Sequence, residues 1–184
     1  STPVRRFHSL CARLLRMHGE RLGLASGFSI YDMADQQKAV KTALAALELS
    51  TDNMTPGSVL HTISNAKNEL LDPEGYAERA GGFYEKQVAR VYAKYQQVMA
   101  RNNAVDFDDL LLKTVTLVRS YPDVLAQLRG RYQYLLIDEY QDTNHSQFIL
   151  AHALAAEHGN ICATGDPDQS IYGWRGANIS NILD

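Results

Sequence analysis

Tyr-Gln-Tyr-Leu-Leu-Ile-Asp-Glu (132–139), the segment from Thr143 to about Glu157, and Ile-Cys-Ala-Thr-Gly-Asp-Pro-Asp-Gln (161–169) follow one another within about 40 residues. Read together, they decide the fold. The first is an apolar and aromatic run of six residues that ends at an acidic pair, the pattern of a short buried strand. Thr143 is a suitable N-cap for a helix that Gly159 ends. Ile161 to Thr164 is a second apolar strand, followed at once by Gly165-Asp166-Pro167. Strand, helix, strand at this spacing is a βαβ unit, which predicts parallel pairing and a right-handed crossover.

Upstream of this unit the periodicity is helical. Phe7, Leu10, Leu14, Leu15 and Leu22 recur on one face, with Gly23 and Gly27 closing the segment. Asp32 opens a second helix to about Leu49, with Met33, Val40, Leu44 and Leu47 as its apolar positions. Residues 50–58 read as a loop, and Pro56 suits the first turn of the next helix, Val59 to Leu71, which Asp72-Pro73 closes. After Gly81-Gly82, the residues Tyr84, Val88, Val91, Tyr92, Tyr95, Val98 and Met99 give the clearest amphipathic pattern, a packing stripe. Asp106 with Asp109 three residues on is a carboxylate version of the capping box. Phe107, Leu110, Leu111, Val115 and Val118 are the expected buried positions of that helix, and Pro122 stops it after Tyr121. The expectation is an α/β chain, predominantly helical, with a helical insertion joined to one slice of a parallel sheet.

Composition excludes several classes. The 184 residues are 45% hydrophobic and 21% charged, as in ordinary globular domains. No apolar run approaches the length of a membrane span, and the N-terminal segment lacks a signal-peptide core. Cys11 and Cys162 alone do not make a disulfide framework. His18, His61, His145, His152 and His158 show no metal-ligand spacing. These features lead to the expectation of a cytoplasmic protein with no membrane partner. The net charge of −3 hides an asymmetry: residues 1–50 carry seven Lys/Arg against four Asp/Glu, residues 51–105 six against six, and residues 106–184 five against eleven. Five of those eleven acids fall in two clusters, Asp138-Glu139 with Asp142, and Asp166 with Asp168.

Parallel sheets bind ligands beyond the carboxyl ends of their strands, where both acidic clusters stand. An apolar strand ending in Asp-Glu is the Walker B pattern, in which the aspartate holds Mg²⁺ through its hydration shell and the glutamate orients and deprotonates water. Taken alone, such a strand end is more often an ordinary acidic terminus. The neighbouring residues change that weighting: Ile-Asp-Glu-Tyr-Gln-Asp-Thr-Asn (137–144) and Gly-Asp-Pro-Asp-Gln-Ser-Ile-Tyr-Gly-Trp-Arg-Gly-Ala (165–177) resemble motifs of the superfamily 1 DNA helicases of the UvrD/PcrA/Rep type. Phe-His-Ser-Leu-Cys (7–11), Ile-Ser-Asn-Ala-Lys-Asn (63–68) and Asp-Phe-Asp-Asp-Leu-Leu (106–111) are similar to that family too, so the resemblance covers essentially the whole chain.

The resemblance implies a RecA-like P-loop NTPase core lacking its Walker A strand and loop. Its division would be 1–31 as an N-terminal helix of motor domain 1A, 32–105 as a helical 1B-like insertion, and 106–184 as the distal part of 1A. Asp138 would hold Mg²⁺ beside ATP, Glu139 would be the catalytic base, and Gln169 would sense the γ-phosphate and couple it to DNA. Trp174 would stack on a base of single-stranded DNA, flanked by Tyr172 and Arg175. His8 and Ser9, with Lys67 and Asn68 of the insertion, would also touch DNA. Base–aromatic stacking contributes roughly 1–3 kcal/mol per base without regard to sequence, which suits an indole in this role.

Two departures from the family pattern bear on activity. There is no Gly-x-x-x-x-Gly-Lys-Ser/Thr in the sequence, and Arg6 stands where the family usually has Thr before Phe-His. The expected reading is an internal piece of a 3′-to-5′ ATP-dependent helicase acting on single strands and single/double-strand junctions. By itself, without the remaining helicase domains, this piece would be inactive. The alternatives are a non-catalytic DNA-binding or scaffold piece and a Mg²⁺-dependent phosphohydrolase using the carboxylates at 138–142 and 166–168. A parallel slice with unpaired edges is also expected to self-associate.

Overall fold

Residues 27–109 form one compact unit, and residues 1–26 together with 110–184 form another. The computed structural model describes residues 7–131, 135–137, 145–155 and 161–163. In order these form α1 (Phe7–His18), a 3-10 turn (Gly19–Leu22), β1 (Ser29–Ile30), α2 (Met33–Ala46), α3 (Pro56–Asn68), α4 (Pro73–Arg79), α5 (Phe83–Arg101), β2 (Ala104–Val105), α6 (Phe107–Ser120), α7 (Pro122–Arg131), β3 (Leu135–Ile137), α8 (His145–Ala155) and β4 (Ile161–Ala163). The described chain is mostly helical, with two short parallel strand pairs.

The unit of residues 27–109 is a helical body closed at its base. β1 pairs in parallel with β2, Ser29 opposite Ala104 and Ile30 opposite Val105, so the chain enters and leaves the unit side by side. Two-residue strands leave no periodicity to read, and this pair is absent from the sequence expectations. Local chemistry sets the helix ends. The Asp32 carboxylate accepts from the Asp35 amide at 2.8 Å, Thr55 Oγ1 from the Ser58 amide at 3.3 Å, and Asp72 Oδ1 from the Gly75 amide at 2.8 Å. Pro56 and Pro73 occupy first-turn positions, where a missing N–H costs nothing. Gly82 precedes α5 without a side chain, and Glu85 Oε2 reaches back to accept from the Gly81 and Gly82 amides at 2.8 and 3.0 Å.

One apolar core unites this unit: Val40, Ala43 and Leu44 of α2, Val59, Leu60 and Ile63 of α3, and Val88, Val91, Tyr92, Tyr95 and Met99 of α5 are all buried. The expected stripe on α5 is thus a packing face. Three expected core positions are not: Met33 is 60% exposed, Tyr84 41% and Phe107 46%. Each is the first or second residue of its helix, where the stripe has not yet turned under its neighbours.

In the other unit, Leu10, Cys11, Leu14 and Leu15 of α1 are buried, as are Leu111, Val115, Leu117 and Val118 of α6. Gly23 ends the 3-10 turn at φ 74°, the left-handed conformation glycine adopts without strain. Arg21 pairs with Asp123 at 2.7 Å, and the Tyr121 hydroxyl donates to the Arg21 carbonyl at 2.9 Å. Pro122 ends α6 as expected but also opens α7, a helix absent from the sequence expectations. Strands β3 and β4 pair in parallel, with Leu135 opposite Ile161 and Ile137 opposite Ala163, and α8 lies between them in sequence.

Candidate functional site

The register of β3 and β4 ends the two strands together, Ile137 beside Ala163. In sequence Asp138-Glu139 follows the first strand immediately, and Gly165-Asp166 begins two residues after the second. This is the arrangement a switch-point ligand site needs: two carboxyl-terminal strand ends side by side on one edge. Asp138, Glu139, Gln169, Tyr172, Trp174 and Arg175 lie outside the described residues. The DNA candidates on α1 are described: His8 is half-buried and Ser9 exposed, in the first turn of the helix.

Lys67 and Asn68 require a correction. Both are buried, Lys67 at 1% exposure, so neither is placed to meet a DNA phosphate. The Lys67 ammonium is spent inside the unit. Its Nζ lies 2.6 Å from Asp106 Oδ2 and 2.9 Å from Asp109 Oδ1, and it donates to Gln96 Oε1 at 3.0 Å. The rings of Tyr95 and Tyr92 stand 5.1 and 5.8 Å from it, within cation–π range. The Tyr95 hydroxyl donates to Asp106 Oδ2 at 2.8 Å. The expected capping box closes the cluster: the Asp109 amide donates to Asp106 Oδ1 at 2.8 Å, and the Asp106 amide to Asp109 Oδ2 at 3.1 Å.

Burial alone would strip the Lys67 proton, but Asp106 and Asp109 outweigh it and hold the ammonium above its ordinary range. Asp106 is held above the usual carboxylate range by burial first and by Asp109 second, with Lys67 pulling the other way. Tyr95 is pushed up by burial and by Asp106, so its hydroxyl stays a donor. Asp108, next in line and bonded to Ser64, is pushed up to about 6, chiefly by burial and then by Asp106. Sequence reasoning finds the two-aspartate cap and misses its lysine, which arrives from 39 residues upstream. The only sequence signal is a lone lysine on an otherwise apolar helix face. Among the described residues no group of His, Cys, Asp and Glu is arranged to hold a metal. The carboxylates of Asp106 and Asp109 are already engaged by Lys67 and by each other's amides.

With the fold and these positions established, comparison with known proteins identifies the class. The sequence matches the UvrD/REP helicase N-terminal domain over residues 1–184, and the chain belongs to that family. Its relatives include proteins named ATP-dependent DNA helicase PcrA. That of Bacillus subtilis (strain 168) is 47% identical over 177 residues, covering 96% of this chain and 24% of the relative. That of Leuconostoc citreum is 46% identical over 180 residues, 98% and 24% respectively. That of Staphylococcus aureus (strain Mu50 / ATCC 700699) is 43% identical over 177 residues, 96% and 24%. The chain therefore spans about a quarter of the length of these curated relatives.

Proposed function

We propose that this chain is part of an ATP-dependent DNA helicase that moves 3′ to 5′ along single strands and works at single/double-strand junctions. The observation that carries this reading is identity of 47% over nearly the whole chain to a protein named ATP-dependent DNA helicase PcrA. The strand register adds support, since it ends β3 and β4 together just before the two acidic motifs. The helical insertion, expected over residues 32–105, falls within the compact unit of residues 27–109, and the remainder belongs to a RecA-like motor domain.

Asp138 and Glu139 are hard oxygen donors, the ligand type Mg²⁺ takes, and the buried carboxylates elsewhere among the described residues are already engaged. Asp138 holds the ion, which supplies charge neutralisation to the bound triphosphate. Glu139 orients the attacking water and takes its proton. Gln169 contacts the terminal phosphate and relays its presence toward DNA. Trp174 stacks on an unpaired base, with Tyr172 and Arg175 beside it and His8 and Ser9 on the DNA backbone. Carboxylate and amide near one phosphate, with an aromatic near one base, tie hydrolysis to a grip on the strand.

In the full-length protein Glu139→Gln should lower DNA-stimulated ATP turnover by at least about 100-fold while ATP affinity is preserved, because the glutamine keeps the shape and loses the base. Turnover retained in that variant removes Glu139 from the role. The sequence has no Gly-x-x-x-x-Gly-Lys-Ser/Thr, so the 184 residues alone should hydrolyse ATP at background rate. Among the described residues β3 and β4 pair only with each other, and unpaired strand edges favour self-association.

A further inference from the structure

We propose that Lys67 is a positioning residue: by pinning the first turn of α6 to α3 and α5, it keeps strand separation in step with ATP turnover. The inference rests on the helicase reading above and adds to it a residue that touches neither ATP nor DNA. The chain passes between the two compact units twice, at residues 26–27 and 109–110. At the first crossing, residues 23–28 form neither helix nor strand. At the second, α6 runs through without a break, its first turn in the helical unit and its remainder in the other. Among the described residues α6 is therefore the one regular element that carries a movement of either unit to the other along the chain, and its first turn is where that transmission is controlled.

That turn is held by charge as well as by apolar packing. Asp106 and Asp109 are 2% and 0% exposed. A capping box at the surface would serve the backbone equally well; burying both of its carboxylates obliges the fold to supply a cation. Lys67 supplies it from α3, with oxygens of Asp106, Asp109 and Gln96 all within 3.0 Å of its Nζ. Gln96, on α5, also donates from Nε2 to Asp109 Oδ1 at 3.3 Å, and the Tyr95 hydroxyl holds Asp106 from the same helix. The residue before Asp106, Val105, accepts from the Tyr31 amide at 2.8 Å, so the entering strand is tied to the same point.

Stability does not account for such a set. Apolar side chains of similar volume often stabilise a buried position as well as an ion pair does, or better. What the charged set adds is direction. Hydrophobic contact is non-directional and tolerates small rotations, whereas a hydrogen bond weakens steeply once bent. One ammonium shared among acceptors on α5 and at the start of α6 admits a single heading for that helix. A helix start free to tilt would let the helical unit yield under load, and turnover would continue without parting the duplex.

The test compares the full-length protein with a neutral variant, Lys67→Met with Asp106→Asn and Asp109→Asn, in which asparagine keeps the cap acceptors and no charge is left buried. Two quantities are measured: ATP turnover stimulated by oligo-dT, and base pairs opened per ATP on a duplex with a single-stranded 3′ tail. The expected result is turnover within about twofold of the unaltered protein and base pairs per ATP lower by at least about fivefold, the lower end of a typical coupling between sites. The oligo-dT concentration for half-maximal turnover stays unchanged. Loss of folded protein lowers both rates together and leaves their ratio alone, so the ratio separates positioning from stability. Tyr95→Phe removes one hydroxyl and keeps the core; it should lower the ratio by a smaller factor, and it decides the matter should the neutral variant fail to fold. A control, Asp72→Asn at the exposed cap of α4, should leave the ratio in place. A ratio unchanged in both cluster variants, an equal fall in the control, or a raised oligo-dT requirement, which would return Lys67 to the DNA, overturns the positioning role and leaves the helicase reading standing. Absence of DNA-stimulated turnover in the unaltered protein overturns both.

Discussion

Around Lys67 one ammonium faces two carboxylates in a site closed to water, and the cost of removing either sign is unequal. Lys67→Met leaves Asp106 and Asp109 buried side by side with their counter-charge gone. The expected loss is about 3–5 kcal/mol in urea unfolding, and a loss under about 1 kcal/mol would mean the pair is solvated after all. Asp108 supplies the pH dependence. Its carboxyl, pushed up from 3.8 to about 6 by burial and then by Asp106, keeps its proton in the folded chain across a window where the unfolded chain has released it. The folded state binds more protons there, so stability falls as pH rises from about 4 to 6 and stays low above, by up to about 3 kcal/mol. Lys67, Asp109 and Ser64 also act on this group, the first and last lowering its pKa. Asp108→Asn should flatten that part of the stability–pH curve. An unaltered slope in the variant would assign the effect to another group.

Helix ends carry the next level. α4 has seven residues, none of them buried, so its N-cap and its contact with α5 matter more than its own propensity. Tyr76 meets Tyr92 edge to face with ring centroids 6.3 Å apart, and the Tyr92 hydroxyl donates to the Leu71 carbonyl at 2.8 Å. Asp72→Ala removes the acceptor for the Gly75 amide and should cost about 1 kcal/mol, while Asp72→Asn should retain most of it. Denaturant midpoints of the two variants test this, and equal midpoints would show that the cap contributes nothing.

At the scale of the molecule, the residues of the core around α2, α3 and α5 all fall between Ala39 and Ala104, and β1 with β2 joins the two ends of their unit. A segment with its own core and adjacent termini has what independent folding requires. Residues 27–109 expressed alone should give a cooperative thermal transition and dispersed amide resonances. Collapsed resonances with no transition would show that the unit depends on the rest of the chain. α6 starts inside this unit, at the Asp106–Asp109 cap, and continues into the other.

Local and periodic features were open to reading from the residues. The stripe on α5, the caps at Asp32 and Asp106, the break at Gly81-Gly82 and the parallel βαβ unit all rest on spacing and backbone hydrogen bonding within a few turns. Family membership was likewise legible, because long motifs survive as strings of letters. Tertiary structure alone decided what depends on distant partners. The two-residue strands β1 and β2 exist because the ends of one unit meet, and α4 and α7 are too short or too weakly patterned to announce themselves. Lys67 turned from an expected DNA ligand into a buried counter-ion because Asp106 and Asp109 reach it across 39 residues and more. A charge's position in the sequence does not say whether water or a carboxylate will neutralise it; that is settled by which elements pack around it.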